Sequence, residues 1–272
     1  MDNLVLLDLD GIVYSAGFAA EKRTYVLNRE IEFSKKTDLN NFVKQENLKD
    51  PEIDAYVDID PLENAIHNCR ILLQSILDAC APLYQYQGFL SGKGNFRNEI
   101  AVTLPYKGNR DPKHKPKWYK EIREYLVDQW QAKIVDGIEA DDALTIEFTK
   151  NSKCGIISST DKDFLQIPNL RMYNWKSKKH VFVNTLEALR NFYTQVLTGD
   201  RTDNIGGVKG IGKVKAHNLL KDATSEAQMI AICKIQYKIK FGNDSERLLQ
   251  ENAELLYLLR AIDDKYDGRL IK

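Results

Sequence analysis

Residues 198–220, TGDRTDNIGGVKGIGKVKAHNLL, combine two kinds of binding chemistry in one short stretch. The stretch begins with two carboxylates, Asp200 and Asp203, and carboxylate oxygens are the ligands that hard divalent cations prefer. A glycine-rich hairpin follows, in which backbone N–H groups freed of side chains, with lysines beside them, can hold a phosphate. The hairpin residues with these properties are Gly207, Lys209, Gly210, Gly212, Lys213 and Lys215. We therefore predict a protein that binds a nucleic-acid backbone and acts on it with a metal ion.

The composition is that of a globular protein without excess charge. Hydrophobic residues make up 43% of the 272-residue chain, and 39 basic residues balance 39 acidic ones. This balance argues against nonspecific coating of nucleic acid but allows a local basic patch. The four cysteines form no C-x-x-C pair, which predicts reduced thiols in a cytoplasmic protein. No apolar run approaches the roughly 18 residues of a membrane span, so we expect no membrane contact.

Two apolar segments end in paired acids. Residues 3–9 (NLVLLDL) predict a buried strand of a parallel sheet, and residues 154–159 (CGIISS) predict another. Asp8 and Asp10, at i and i+2, are predicted to share one face near the end of the first strand. Asp161 and Asp163 follow the second strand. Because ligands bind beyond the carboxyl ends of strands in open α/β sheets, we expect all four acids at one sheet edge.

The segment LDLDG also fits a different chemistry. Haloacid-dehalogenase-like phosphatases open with D-x-D-G after a first strand, and there the first Asp is the nucleophile and the second the general acid. This motif alone does not separate the two interpretations. A third interpretation, solvated loop acids, is disfavoured because an acid inside LLDLD is costly to bury without a cation or partner.

Further acids occur in two places. Glu139 and Asp142 share a helical face at i, i+3, with Asp141 beside them, in the first turn of a predicted helix. Negative charge is favoured there by the helix dipole, but capping explains only one of the three acids. Residues 50–63 are also rich in acids and are predicted to form a solvated linker.

Residues 93–123 form a basic segment with interleaved aromatic residues. Basic groups neutralise phosphates, and aromatic faces can stack on unpaired bases. Phe96 and Tyr106 are the candidates for stacking on a frayed terminal base. The alternative interpretation is a solvated basic surface.

In this order, the motifs resemble those of the 5′-nuclease family, which comprises flap endonucleases, the 5′-exonuclease domain of bacterial DNA polymerase I and phage 5′–3′ exonucleases. The matching segments are LLDLDG (6–11), GKGNFR (92–97), LPYKGNR (104–110), GIEADDA (137–143), SSTDKDF (158–164) and TGDRTDNIGGVKGIGKVKA (198–216). The resemblance implies a PIN-like α/β core with a mostly parallel central sheet flanked by helices over residues 1–184, with a basic arch at about 93–120. It implies a helical region over residues 185–272 that carries a helix-hairpin-helix DNA-binding element.

The resemblance also implies roles for individual residues. Two Mg²⁺ or Mn²⁺ ions would be held by nine carboxylates, Asp8, Asp10, Glu139, Asp141, Asp142, Asp161, Asp163, Asp200 and Asp203, and a potassium ion would bind at the hairpin. Catalysis would centre on Asp8, Asp142 and Asp161, with Lys93 and Arg97 contacting the scissile phosphate. The DNA-binding residues would be Lys93, Arg97, Tyr106, Lys107, Arg110, Gly207, Lys209, Gly210, Gly212, Lys213 and Lys215.

One position departs from the family pattern. The family usually has another Asp at the end of the second core strand, where this chain has Ser91 and Gly92. The hypothesis is that Asp10, placed on the face of Asp8, compensates for this missing carboxylate.

The expected function is a metal-dependent 5′–3′ exonuclease or structure-specific 5′ flap endonuclease that leaves 5′-phosphate products. We expect a monomer that binds DNA with a 5′ end, flap or junction, or an RNA–DNA hybrid, in replication or repair. One alternative is a non-catalytic structure-specific DNA-binding protein, which the missing carboxylate favours. The other is the phosphatase, which leaves the glycine hairpin without a role.

Overall fold

A computed structural model describes residues 3–80, 84–111, 114–264 and 266 of the chain. Lys113 in the basic segment and residues 265 and 267–272 of the predicted helical region lie outside these ranges. The strands are β1 (Asn3–Asp8), β2 (Glu21–Leu27), β3 (Ile31–Phe33), β4 (Ile53–Ile59), β5 (Tyr84–Ser91), β6 (Lys133–Val135), β7 (Gly155–Ser158), β8 (Leu170–Asn174), β9 (Lys179–Val183), β10 (Gly199–Asp200) and β11 (Ile205–Gly206). The α-helices are α1 (Leu9–Ala19), α2 (Lys36–Gln45), α3 (Leu62–Cys80), α4 (Arg97–Ile100), α5 (Tyr119–Trp130), α6 (Ala140–Lys150), α7 (Thr185–Thr198), α8 (Lys213–Leu220), α9 (Glu226–Phe241) and α10 (Ser245–Leu256).

The chain forms two compact units, and each unit is made of separate segments that alternate along the sequence. Unit 1 contains residues 1–10, 76–114 and 130–272, and unit 2 contains residues 11–75 and 115–129. The predicted boundary between residues 184 and 185 therefore falls inside unit 1. As a division between catalytic and DNA-binding regions, that boundary stays a prediction.

Unit 1 is built around a six-stranded sheet in the order β6-β5-β1-β7-β8-β9. All neighbouring strands are parallel except β8 and β9, which form an antiparallel hairpin. Val5 and Leu6 in β1 are fully buried although they point to opposite faces, as expected of a central strand covered on both sides. The predicted α/β class with a mostly parallel central sheet is confirmed.

The helices after β9 form a second apolar core within unit 1. Phe192, Tyr193 and Val196 of α7 pack with residues of α8, α9 and α10, including the fully buried Tyr237. Asn184 caps α7 by accepting the N–H of Glu187 at 2.9 Å, so this helix begins with a satisfied backbone donor. Within the described ranges, no helix has the length and apolar content needed to cross a membrane.

Unit 2 contains a three-stranded antiparallel sheet in the order β3-β2-β4. β2 and β3 form an antiparallel hairpin, and the linker predicted over residues 50–63 is wrong because it contains β4. Ile53, Ala55, Val57 and Ile59 recur at every second position, a period typical of a strand, although Ile53, Val57 and Ile59 are 44–47% exposed. The acids are partly balanced by β2, where Lys22 pairs with Asp60 at 3.1 Å.

Candidate active site

The carboxyl ends of the central strands bring several predicted carboxylates to one edge of the sheet. β1 ends at Asp8, and Ser159, which follows β7, donates its hydroxyl proton to Asp8 Oδ2 over 2.5 Å. The same hydroxyl accepts the backbone N–H of Asp161 at 2.9 Å. Asp161 Oδ1 accepts the N–H of Asp163 at 2.8 Å. The loop after β7 is thereby held against the end of β1.

Helix α6 presents its N-terminus to the same edge. Ser91, at the end of β5, accepts the first N–H of α6 with Oγ at 3.0 Å. Negative charge is favoured at this helix end, which holds Glu139 and Asp141. Burial, together with the charges of Asp8, Asp161 and Glu139, raises the pKa of Asp141 well above its ordinary range. The like charges are thus close enough to oppose ionisation, and a bound cation would relieve that repulsion.

Residues 105–110 bring three side chains to Glu139 and Asp203. The Tyr106 hydroxyl lies 2.8 Å from Glu139 Oε2 and 2.9 Å from Asp203 Oδ2. Lys107 Nζ donates to Glu139 Oε1, and Arg110 Nη2 donates to Asp203 Oδ1 at 2.6 Å. Burial opposes the ionisation of Glu139, but the charge and hydrogen bond of Lys107 outweigh it and lower the pKa of Glu139. Lys107 and Arg110 therefore bring positive charge to Glu139 and Asp203.

Lys162 supplies another cation between the loop after β7 and the start of the hairpin. Its Nζ lies 2.6 Å from Asp200 Oδ2 and 3.6 Å from Asp163 Oδ1. Burial opposes the ionisation of Asp200, but hydrogen bonds from Lys162 and Thr202 outweigh it and lower the pKa of Asp200. Burial and the charge of Asp161 instead raise the pKa of Asp163 to about 6. Asp200 is thus joined to the cluster through a lysine.

The predicted roles of Arg97 and Asp142 are wrong because these residues form a buried ion pair. Arg97 is 1% exposed, and its Nη1 and Nη2 donate to the two Asp142 oxygens at 2.6 and 2.9 Å. Its Nε and Nη2 also donate to the carbonyls of Leu255 and Tyr257 at 2.9 and 2.7 Å, and its Nη1 lies 3.8 Å from Glu139 Oε2. The fully buried Asp142 also accepts the N–H of Leu259 at 3.1 Å. The pair joins α4, α6 and the end of α10, and it leaves both side chains almost no exposed surface for a phosphate or a metal ion.

The predicted stacking role of Tyr106 is also wrong. Its side chain is 8% exposed and packs in the apolar core of the helical part, with its hydroxyl held by two carboxylates. A ring in this position has no free face for a nucleobase. The half-buried Phe96, the other candidate, lies with its ring 4.6 Å from the guanidinium carbon of Arg97.

Asp10 does not share a strand face with Asp8 as predicted. β1 ends at Asp8 and α1 begins at Leu9, so Asp10 lies in the first turn of a helix. Asp10 Oδ2 accepts the backbone N–H of Ser91 at 3.0 Å. Its carboxylate therefore lies beside the position where the family has another acid, and compensation by Asp10 stays a prediction.

The glycine hairpin adjoins Asp200. Gly199 and Gly207 cross so closely that a side chain at either would overlap the backbone of the other. Gly210 has a φ of 91°, a left-handed conformation that favours glycine, and Gly212 precedes α8. A cavity of about 700 Å³ opens here. Its charged lining residues are Lys162, Asp200, Arg201, Lys209 and Lys213.

Four side chains near the cluster were not singled out in the sequence. Ser159 and Lys162 contact the carboxylates as described above, and Gln195 Nε2 donates to Asp163 Oδ1 at 2.5 Å. Asp136 accepts the backbone N–H of the exposed Lys93 at 2.6 Å. The role of Lys93 at a phosphate stays a prediction. The position of Lys162 between two predicted acids, in DKD, was the one available signal.

The donor set fits hard divalent cations. In the part of the chain that the structure describes, no three His, Cys, Asp or Glu side chains converge closely enough to hold a metal ion as they stand. The carboxylates instead bond to lysines, an arginine and hydroxyls. Yet the oxygens are of the type that Mg²⁺ and Mn²⁺ prefer, and the raised pKa of Asp141 marks a place where positive charge is lacking.

Two curated relatives resemble most of the chain. A 5′-3′ exonuclease of Mycoplasma genitalium is 26% identical over 241 residues, which cover 81% of this chain and 72% of that protein. The flap endonuclease Xni of Colwellia psychrerythraea is 28% identical over 193 residues, which cover 66% of each protein. No family model matches the chain.

A solved structure shares the fold. The bacteriophage T5 flap endonuclease, in a pseudo-enzyme-product complex with DNA and metal ions, aligns with a TM-score of 0.55 at 20% identity. The alignment covers 94% of this chain and 89% of the T5 chain. It therefore includes both the central sheet and the helices that follow it.

Proposed function

We propose that this chain, a member of the 5′-nuclease family, is a divalent-metal-dependent nuclease that hydrolyses DNA at 5′ ends and flaps. The family resemblance, the PIN-like fold and the nuclease class predicted from the motifs are confirmed. The observation that carries the proposal is that Asp8, Glu139 and Asp161 lie at one sheet edge, where Ser159 bonds to both Asp8 and the loop of Asp161 and where Lys107 bonds to Glu139.

The metal ions would be held by carboxylates of this edge. The candidates are Asp8, Glu139, Asp141, Asp161 and Asp163, with Asp200 and Asp203 on the hairpin side. When bound, two divalent ions would activate a water molecule and neutralise charge on the phosphoryl oxygens. Two Mg²⁺ or Mn²⁺ ions suit this oxygen-rich donor set.

Lys107 and Arg110 would bind the phosphate that is cut. Lys107 bonds to Glu139 and Arg110 bonds to Asp203. A phosphate can replace either carboxylate as the anionic partner of these two side chains. This assignment replaces Arg97, which is 1% exposed and uses four of its five N–H donors inside the protein. Fixed cations placed where negative charge develops lower the barrier to phosphoryl transfer.

The glycine hairpin would grip the duplex away from the cut. Lys209, Lys213 and Lys215 are exposed around it and can neutralise backbone phosphates without reading sequence. Binding of a potassium ion by this hairpin belongs to the same proposal. The DNA ligand would carry a 5′ end, flap or junction, bound by a monomer. The relatives come from bacteria and phage, which supports a cytoplasmic location in a bacterial or infected cell.

The test is a cleavage assay with purified protein, Mg²⁺ or Mn²⁺, and end-labelled forked, nicked, blunt and RNA–DNA hybrid duplexes. We expect metal-dependent release of short 5′-phosphorylated products. Asp161→Asn should bind DNA normally but lose turnover, whereas Asp222→Asn, an exposed acid outside the cluster, should cleave like the wild type. Tight, metal-independent flap binding without any cleavage would instead identify the non-catalytic DNA-binding protein.

A further inference from the structure

We propose that Glu251 of α10, together with its neighbour Asn252, is a positioning residue for the reaction. The proposal rests on the proposed nuclease function and deepens it. Neither residue lies among the carboxylates of the sheet edge. They hold the two chain segments that meet there, residues 101–110 and residues 199–206.

Glu251 fixes the start of the first segment. Its Oε1 accepts the backbone N–H groups of Val102 and Thr103 at 2.8 and 2.6 Å. Its Oε2 accepts the Thr103 hydroxyl at 2.6 Å and pairs with Arg247 at 2.9 Å. The side chain is only 7% exposed, although the segment it holds has no regular secondary structure. The Glu251 carboxylate thus accepts two backbone N–H groups that a neighbouring strand would otherwise accept.

Asn252 fixes the second segment. Its Nδ2 donates to the carbonyl of Gly206, the last residue of β11, and to the hydroxyl of Tyr237 at 2.8 Å. β11 pairs with β10, so Asp200 lies at the end of one strand of this hairpin and Asp203 in the turn that joins the two strands. Consecutive residues of one helix therefore hold the segment with the lysine and the segment with the carboxylates.

In addition to the contacts made by Glu251 and Asn252, the two segments form hydrogen bonds directly to each other. Asn204 Nδ2 donates to the Pro105 carbonyl at 2.9 Å, and the N–H of Lys107 donates to the Asp203 carbonyl at 2.9 Å. Thr103 precedes Lys107 by four residues, a span of at most about 14 Å when extended. A shift of the segment at Thr103 is thus transmitted to Lys107 Nζ on Glu139. Displacements of about 1 Å in reacting groups can lower rates about 100-fold.

The test compares Glu251→Ala with Glu251→Gln. The glutamine carbonyl can still accept both N–H groups, so Glu251→Gln should keep at least half of the wild-type kcat. Glu251→Ala should lower kcat by 10- to 100-fold with less than a threefold change in KM for DNA. It should also speed amide exchange at Val102 and Thr103. Glu254→Ala removes another acid of α10 that does not touch this segment, and it should leave all these quantities unchanged.

A double-mutant cycle shows whether Glu251 acts through Lys107. In a Lys107→Ala background, Glu251→Ala should lower kcat by less than a further threefold. Full additivity, or a folded Glu251→Ala protein whose kcat lies within twofold of the wild type, would overturn the proposal. If Glu251→Ala does not fold, Glu251→Leu, which fills the space without accepting hydrogen bonds, is measured in its place. A wild type that cleaves nothing would refute the proposed function instead, and amide exchange at Val102 and Thr103 would still report on Glu251.

Discussion

Replacing Arg97 distinguishes a stabilising role in the buried ion pair from a catalytic role at the scissile phosphate. Arg97→Ala removes four hydrogen-bonded donors and leaves the fully buried Asp142 carboxylate without its cation. Removing one partner of a buried ion pair lowers the free energy of unfolding by about 3–5 kcal/mol. The two carbonyls that also lose a donor place the expected loss at the upper end of that range. In a chain of this size the loss corresponds to a Tm lower by about 6–20 °C.

The assay is urea denaturation monitored by circular dichroism at pH 7. EDTA is present so that metal binding does not contribute to the free energy of unfolding. Lys93→Ala is the control, because this exposed lysine has no ion pair among the described residues, and its change should stay within about 0.5 kcal/mol. Arg97→Met combined with Asp142→Leu should recover part of the loss, since no buried charge is then left unpaired. An Arg97→Ala protein of wild-type stability that has lost turnover would refute this reasoning and restore the phosphate contact predicted from the sequence.

Three other predictions concern the hairpin and the acidic cluster. Gly207→Ala should weaken duplex binding at least 10-fold in a gel-shift titration, because its Cβ would overlap the end of α7, whereas Gly206→Ala, whose Cβ meets open space, should bind normally. In EDTA, Asp163 should lower the free energy of unfolding by up to about 3 kcal/mol as the pH rises from 4 to 6, because the folded protein holds the Asp163 proton to about pH 6; thermal melts of Asp163→Asn should lose this part of the pH dependence. Replacing Lys209 and Lys213 together by alanine should reduce the slope of log Kd against the logarithm of salt concentration by about two. An unchanged slope would exclude both lysines from the phosphate contacts.

The acids of the sheet edge were predictable because their signal is local. A run such as NLVLLD has one plausible place in a soluble α/β protein, at the centre of a parallel sheet, and β1 occupies it. The chain reversal after each parallel strand then places the following acids at a common edge. For that reason, the proximity of Asp8 and Asp161 could be predicted from the sequence.

Arg97 and Asp142 could not be assigned correctly because their pairing depends on packing across 45 residues. An arginine in a basic segment and an acid in an E-x-D-D motif look alike in sequence whether they face solvent or each other. The strand β4 was missed for a related reason. Its acids suggested solvation, and the basic residues of β2 that lie beside them only become neighbours in the folded sheet.

Lys107 and Lys162 give the acidic centre its own counter-ions. Each places an ammonium group against a carboxylate, so the cluster is partly neutralised by the chain itself. In the proposed function, a metal ion beside Glu139 or Asp200 would take over that neutralisation, and the released lysine would become available to a DNA phosphate. Metal and DNA binding would then be thermodynamically linked, and by reciprocity DNA that engages either lysine would raise the affinity of the centre for metal by the same factor.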